Sequence, residues 1–348
     1  MDDRLRERYS RQILFERIGE DGQERLRRSK ATIIGCGALG TTLASLLVRA
    51  GVGHLRIVDR DFVEPSNLQR QTLFEEADAL ALLPKAVAAE RRLRSINSDV
   101  EVQGVIGDLT SANADELLGD SAVLLDGTDN FETRLLINDY AVNKSVPWVY
   151  AAVVSSHGLT MPIQPGESAC LACIAEDGDP IENGSGTPTN EPTCDTVGVL
   201  GPAAGVIASL EAASAIKILV DKSEAREARL VTLDVWTGRF QSLRVPRRED
   251  CRACGQHEFS YLLGEAQPRL TMCGRDSVQI HERRRRLDLA SLGRNLAAAG
   301  SHVRQNDFLL RLLVPPYEVT VFEDGRAIIK GTRDPSVARS IYARYVGA

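Results

Sequence analysis

The sequence predicts an α/β fold built on a mostly parallel sheet, and three observations carry that prediction. Thr32, Ile33 and Ile34 are β-branched and run directly into Gly35-Cys36-Gly37-Ala38-Leu39-Gly40, after which Leu43, Leu46 and Leu47 continue as an apolar helix. A second apolar run, Leu55 to Val58, ends at Asp59, about 20 residues past the glycines. Strand-like and helix-like segments then alternate as far as Ile163. Strand, glycine turn and helix in that order make a Rossmann-like phosphate cradle: glycines let the backbone pass close to an anion, and the free N–H groups of the first helical turn point at it. Helices are expected on both faces of the sheet.

Composition narrows the function classes. With 43% hydrophobic and 26% charged residues in 348, the chain has material for one large domain and a small one, and it is not a disordered chain. A net charge of −6 gives no support for broad binding to nucleic acid or to an anionic membrane. Met1-Asp2-Asp3-Arg4 starts no signal peptide, and no apolar run approaches bilayer length, so a cytoplasmic protein is expected.

Taken in order, Arg4 to Arg28 reads as charged helical segments interrupted near Gly19 and Gly22. The glycine turn follows, with Gly35, Gly37, Ala38 and Gly40 as candidate phosphate contacts and Asp59 as an acceptor for ribose hydroxyls. Asp61, Ser66, Asn67, Arg70 and Gln71 put polar and cationic groups where a triphosphate would extend. Pro84-Lys85 opens a helix to about Ile96, which places Lys85 on the glycine-turn side of the sheet if the crossovers are right-handed. Val100–Ile106 is a third strand, Ala112–Leu118 a short helix and Ala122–Leu125 a fourth strand, ending in Asp126-Gly127-Thr128-Asp129-Asn130. Ligands of open α/β sheets bind beyond the carboxyl ends of the strands, so Asp126 and Asp129 are delivered to the site. For Asp129 two readings stand side by side. It is a magnesium ligand beside the phosphates, or it caps the helical run Asn130–Asn143.

Strands are expected at Val146–Val154 and Gly158–Ile163, a glycine- and proline-rich functional loop over Gly166–Asp195, a helix from Pro202 to Val220, and strands at Leu230–Val235 and Phe240–Val245. Of seven cysteines, Cys170/Cys173 and Cys251/Cys254 form two C-x-x-C pairs. In a reducing compartment two such knuckles close one tetrahedral four-thiolate site, for which Zn²⁺ is the expected occupant; reduced or redox-active pairs are the alternative. Cys194 belongs to neither pair and precedes a helix, where a thiol pKa falls. It reads as a nucleophile or as a small packing residue. Cys36 and Cys273 read as packing residues, and the histidines form no cluster.

Together Arg8-Tyr9-Ser10-Arg11-Gln12, the GCGALG turn, Asp59-x-Asp61, Val63-Glu64-x-Ser66-Asn67-Leu68-Gln69-Arg70-Gln71, Pro84-Lys85, Asp126-Gly127-Thr128-Asp129-Asn130 and the two cysteine pairs resemble the MoeB/ThiF family over residues 4 to 256. These are adenylyltransferases of sulfur carrier proteins, similar to the catalytic half of ubiquitin-activating enzymes. The resemblance implies ATP-dependent adenylylation of the C-terminal glycine carboxylate of a small β-grasp carrier, with release of pyrophosphate. It implies that Arg70 and Lys85 contact phosphates, that Asp59 holds the ribose, that Asp129 serves Mg²⁺, and that Asn67 and Asn130 lie beside the nucleotide. Arg11 would reach into the site of a neighbouring subunit, which implies a homodimer. Cys194 would form a thioester or persulfide with the carrier. Ala38 departs from a family pattern that often has glycine there.

The chain therefore divides, as expected from sequence, into an ATP-binding domain with zinc knuckles (1–256), a linker (257–268) and a small α+β docking or accessory domain (269–348). The last reads as strand, helix, two strands and helix, with Glu323-Asp324-Gly325-Arg326 as a hairpin turn. Arg283 to Arg286 reads as a solvated run, and no sulfurtransferase loop with its own cysteine stands out. A sulfur donor, a cysteine desulfurase or sulfurtransferase, would then be a separate protein. The competing classes are an activating enzyme that forms a thioester through Cys194 and an NAD-dependent oxidoreductase, the latter supported only by the glycine turn and Asp59.

Overall fold

A computed structural model describes residues 1–175, 197–221, 228–265, 277–280 and 286–347. Cys194, Cys273 and Arg283 to Arg285 lie outside the described residues, as does most of the Gly166–Asp195 loop. The chain forms two compact units, one of Met1–Ala79 with Pro84–Ala266, the other of Leu80–Leu83 with Gln267–Ala348.

In the first unit, helices α1 (Asp3–Arg8), α2 (Ser10–Ile13) and α3 (Gly19–Arg28) precede the sheet. The sheet strands are β1 (Lys30–Ile34), β2 (His54–Asp59), β3 (Glu101–Ile106), β4 (Val123–Asp126), β5 (Trp148–Val154), β6 (His157–Ile163), β7 (Arg229–Asp234) and β8 (Arg239–Arg244). Their order is β3-β2-β1-β4-β5-β6-β7-β8. The first five run parallel, and β6, β7 and β8 extend the sheet in antiparallel hairpins. The switch follows from the connections, because the turns after β5 and β7 are too short for a crossover.

From β1 the chain moves outward through α4 (Ala38–Ala50), β2 and α6 (Lys85–Ile96) to β3, with the short α5 (Glu76–Leu80) between. It returns through α7 (Ala114–Leu118) to β4 beside β1 and continues through α8 (Phe131–Lys144) to β5. Reversing direction with right-handed crossovers puts α4 and α6 on one face and α8 on the other. Ile34, Val58 and Leu124 pack with Leu135 and Tyr140 of α8, while Leu43 and Leu47 of α4 are wholly buried. Each such leucine contributes roughly 1.5–3 kcal/mol of transfer free energy.

Helix α10 (Gly201–Val220) packs on α4, β5 and β6; α9 (Ala172–Ala175) carries the second cysteine of the first pair. By length and composition α10 could cross a membrane, which corrects the expectation that no apolar run approaches that length. Half of its apolar window is inside the unit, where it buries Glu211 against the sheet. A central helix of an α/β unit and a membrane span draw on the same residues.

Residues 257–265, expected as part of a linker, pack in this unit. Phe259, Tyr261 and Leu262 lie against the core around the cysteines, and the Tyr261 N–H donates to Asp139.

The second unit is a five-stranded antiparallel sheet ordered β10-β11-β12-β13-β9: β9 is Ser277–Ile280, β10 His302–Gln305, β11 Leu309–Val314, β12 Tyr317–Phe322 and β13 Ala327–Lys330. Helices α11 (Leu289–Ala298) and α12 (Pro335–Tyr345) supply Leu289, Leu296, Ala338, Ile341 and Tyr342 to its core. Four strands stand between the two helices where the sequence suggested two. His302–Gln305 is short and polar, with no alternation to mark it, whereas the hairpin at Glu323 to Arg326 forms as expected. Asn306 donates to the carbonyls of Ala81 and Leu82, and Arg304 to that of Leu80, which is why Leu80–Leu83 belong to this unit.

Candidate active site at the carboxyl edge of the sheet

Strands β1, β2 and β4 end together, and the loops that follow them meet. Gly35 has φ +91°, and a Cβ there would lie 2.4 Å from the Gly127 carbonyl oxygen, so the two loops touch only because both positions are glycine. Gly37 precedes α4, whose N-terminus has no side-chain cap, and a Cβ on Gly37 would meet nothing closer than Gln71 Nε2 at 3.9 Å. The first-turn N–H groups of α4 thus face an open rim with the positive end of the helix dipole behind them.

Asp59 is buried at the end of β2, with Oδ2 accepting from the Cys36 N–H at 2.6 Å and Oδ1 from the Asp61 N–H at 2.7 Å. Burial raises its pKa, against the pull of Lys85. Lys85 is the first residue of α6, and its Nζ lies 3.2 Å from Asp61 Oδ2. Burial pulls the ammonium pKa down, but Asp61 and Asp59, with Asp129 behind them, outweigh it and hold Lys85 above the ordinary lysine range. One buried cation therefore sits among three carboxylates beside the glycine turn.

The neighbouring loop is partly structural. Asn67 Oδ1 accepts from the Glu64 N–H, closing a capping box on the turn at Pro65–Asn67. Arg70 Nη1 donates to the carbonyl of the exposed Ser66, and a Cβ on Gly201 at the start of α10 would lie 3.7 Å from the Arg70 Cβ. Gln71 is buried, and among the described residues its Oε1 has no hydrogen-bond partner.

In the loop after β4, Asn130 is the helix cap, its Oδ1 accepting from the Thr133 N–H at 2.9 Å. Asp129 does not cap α8; it is exposed and close enough to act on the pKa of both Lys85 and Arg134. Asp126, expected at the ligand, is instead fully buried beneath the loop. Its Oδ1 accepts from the N–H and hydroxyl of Thr128, and its Oδ2 from Arg134 Nε at 3.1 Å. Arg134 also donates to the carbonyls of Thr128 and Ala151. The Asp126 N–H donates to Glu211 Oε1 at 3.0 Å. Arg134 and Glu211 were not singled out in the sequence. The spacing Asp126-x₇-Arg134, a carboxylate ending a strand and an arginine one turn into the next helix, was the available signal for the first. Arg11 is exposed on α2.

The four cysteines converge. Their Sγ atoms all lie within 4.8 Å of one another, with Cys170–Cys251 at 3.6 Å and Cys173–Cys254 at 3.4 Å. Four thiolates about a tetrahedral ion at Zn–S distances would stand roughly 3.8 Å apart, so the donor set fits a closed metal site. Hydrogen bonding among the thiols holds Cys170 above the ordinary thiol range and draws Cys173, Cys251 and Cys254 below it. Asn138 Nδ2 donates to Cys170 Sγ at 3.7 Å, and Arg252, between the last two cysteines, holds the buried Asp139 in a bidentate ion pair at 3.1 and 3.0 Å.

Comparison with known proteins agrees with this geometry. Residues 9–253 match the model of the ThiF family. The chain is 43% identical over 344 residues to the sulfur carrier protein ThiS adenylyltransferase of Bacillus subtilis (strain 168), covering 98% of this chain and 99% of that one. It is 38% identical over 257 residues to the protein of the same name from Escherichia coli (strain K12), a match that covers 73% of this chain and 97% of the relative. The crystal structure of E. coli MccB shares the fold with a TM-score of 0.62 at 24% identity, over 71% of this chain and 72% of that one. By its matched length and by these identities, the chain belongs to the ThiF family.

Proposed function

We infer that this protein is an ATP-dependent adenylyltransferase that activates the C-terminal glycine carboxylate of a small ubiquitin-like, β-grasp sulfur carrier protein and releases pyrophosphate. The reading rests on family membership, on the names of its relatives, and on one observation: Lys85, a buried ammonium, lies beside an uncapped helix N-terminus at the glycine turn. Joining a carboxylate to a triphosphate brings two anions together, so the site needs fixed positive charge more than a nucleophile. The dehydrogenase reading leaves that ammonium without a task.

The chain's own groups divide the work. N–H groups at the start of α4 and the side chains of Lys85 and Arg70 take phosphate oxygens. Asp59, with a lone pair remaining on each oxygen, accepts from the ribose, and the orphaned Gln71 Oε1 accepts from a nucleotide donor. An exposed carboxylate beside a triphosphate repels it unless a divalent cation lies between them; Asp129, exposed and uncommitted to capping, is the residue to hold Mg²⁺. When bound, that ion neutralises charge on the phosphates. Zn²⁺ suits the four thiolates, whose full set leaves no open position, so its role is structural.

Arg11, exposed on α2, is assigned to the site of a second subunit of a homodimer, and Cys194 to a covalent link with the carrier. The unit spanning 267–348, which lies beyond the residues 9–253 that match the ThiF family, is assigned to docking. The sulfur donor is a separate protein, and the reaction runs in the cytoplasm, where ATP is available. The test is exchange of labelled pyrophosphate into ATP with each glycine-ended β-grasp protein encoded in the same genome. Exchange that depends on one of them is expected; none with any of them sinks the assignment.

A further inference from the structure

We propose that α8 couples the four-cysteine site to the Asp129 loop, with Asn138 as the positioning residue through which the two communicate. The helix begins at the loop and passes the metal site within its own length. Asn130, its cap, directly follows Asp129, and Arg134, one turn on, ties Asp126, Thr128 and Ala151 together. One further turn along the same face is Asn138, roughly 12 Å from Asn130 by helical rise. Asn138 is completely buried and both ends of its amide are used: Oδ1 accepts from the Leu171 N–H at 2.8 Å and Nδ2 donates to Cys170 Sγ. Asp139 beside it takes Arg252 from the second cysteine pair.

A single helix is thus fixed to both knuckles at its middle and to the loop bearing Asp129 at its start. An N–H donated to sulfur favours the thiolate and fixes the direction of its lone pairs. When the four sulfurs close on an ion, Cys170 and Leu171 set the position of Asn138, and α8 carries that position to Asn130 and Asp129. Occupancy of the two sites is then linked, and the linkage must be reciprocal.

The inference rests on the adenylylation reading for what the Asp129 loop binds, and the experiment separates the two. Zn²⁺ affinity of the full-length protein is measured by competition with a chromophoric chelator, with and without a non-hydrolysable ATP analogue and Mg²⁺, whose own binding is followed by calorimetry. The analogue is expected to tighten Zn²⁺ binding about tenfold and to shift the charge-transfer bands of the Co²⁺-substituted protein. Asn138→Asp keeps the acceptor for Leu171 and loses the N–H to sulfur, and Asn138→Ser loses both; each should bind the analogue yet show little or no linkage. An analogue that binds without moving Zn²⁺ affinity in the unmodified protein overturns the coupling and leaves adenylylation standing. Failure of the analogue to bind at all overturns both. Linkage of unmodified size in the variants removes Asn138 from the role, and the measurement on the unmodified protein decides the coupling even if a variant fails to fold.

Discussion

Lys85 Nζ lies 3.2 Å from Asp61 Oδ2, and the residue that accepts this ammonium is fixed in turn by its own N–H donated to Asp59. The lysine is held charged and in place before any phosphate arrives, which is the preorganisation that electrostatic catalysis requires. Lys85→Met should lower kcat/KM for carrier-dependent pyrophosphate exchange by about 10²–10³-fold. Lys85→Arg should not restore it, because Lys85 is buried and a guanidinium is larger than the ammonium packed there. Rescue by arginine in steady-state exchange assays would show that only charge matters here.

Arg134 and Asp126 make a buried ion pair whose loss is expected to be structural first. Arg134→Met strands the Asp126 carboxylate under the sheet edge and should cost about 3–5 kcal/mol of stability. Adding Asp126→Asn should return much of it, since no charge is then left buried without a partner. Urea unfolding of the two single variants and the double one completes the cycle, and additive losses would count against the pairing.

Much of the site was legible because it is local in sequence. The glycine turn, Asp59, Asp61 and Lys85 each sit at the end of a strand or the start of a helix, where pattern and position coincide, and the spacing of the two C-x-x-C pairs favours one shared site over separate pairs. What stayed hidden depends on tertiary neighbours. Asp126 and Asp129 differ by three residues, and nothing in the string says that the first is claimed by Arg134 and the second left exposed. Nor does the string say that Asn67 and Asn130, expected beside the nucleotide, each commit Oδ1 to capping. In the fold, alternation marked Tyr317–Phe322 but not the polar edge strand His302–Gln305, because an edge strand of four residues needs no buried face to announce it.

The cysteine site predicts a dependence on metal. Cys170 and Cys251 belong to segments 81 residues apart, so an ion closing them ties the loop after β6 to the chain beyond β8. Prolonged treatment with a strong chelator should lower the thermal midpoint by about 10 °C or more. Cys170→Ser and Cys251→Ser should do so alike, since either leaves one ligand short. Metal analysis alongside calorimetry is the check, and an unchanged midpoint in protein shown to be metal-free would rule out a structural role.

Glu211 gives a pH signature of the core beneath the loop. It is fully buried, burial and then the nearby Asp126 push its pKa well above 4.5, and among the described residues its Oε2 has no hydrogen-bond partner. A carboxyl raised on folding binds its proton more tightly in the folded chain. Below the unfolded pKa both states are protonated and nothing is lost. Above it the unfolded chain releases a proton that the folded chain keeps, so stability falls by about 1.4 kcal/mol per pH unit until the folded pKa is passed. Glu211→Gln retains a carbonyl for the Asp126 N–H and removes this loss. The variant should therefore unfold at nearly the same urea concentration as the parent at about pH 5 and at a clearly higher one at about pH 8, with the gap widening between them. Parallel profiles across that range would mean that Glu211 is ionised in the folded protein, and the Arg134 guanidinium would then have to neutralise Glu211 as well as Asp126.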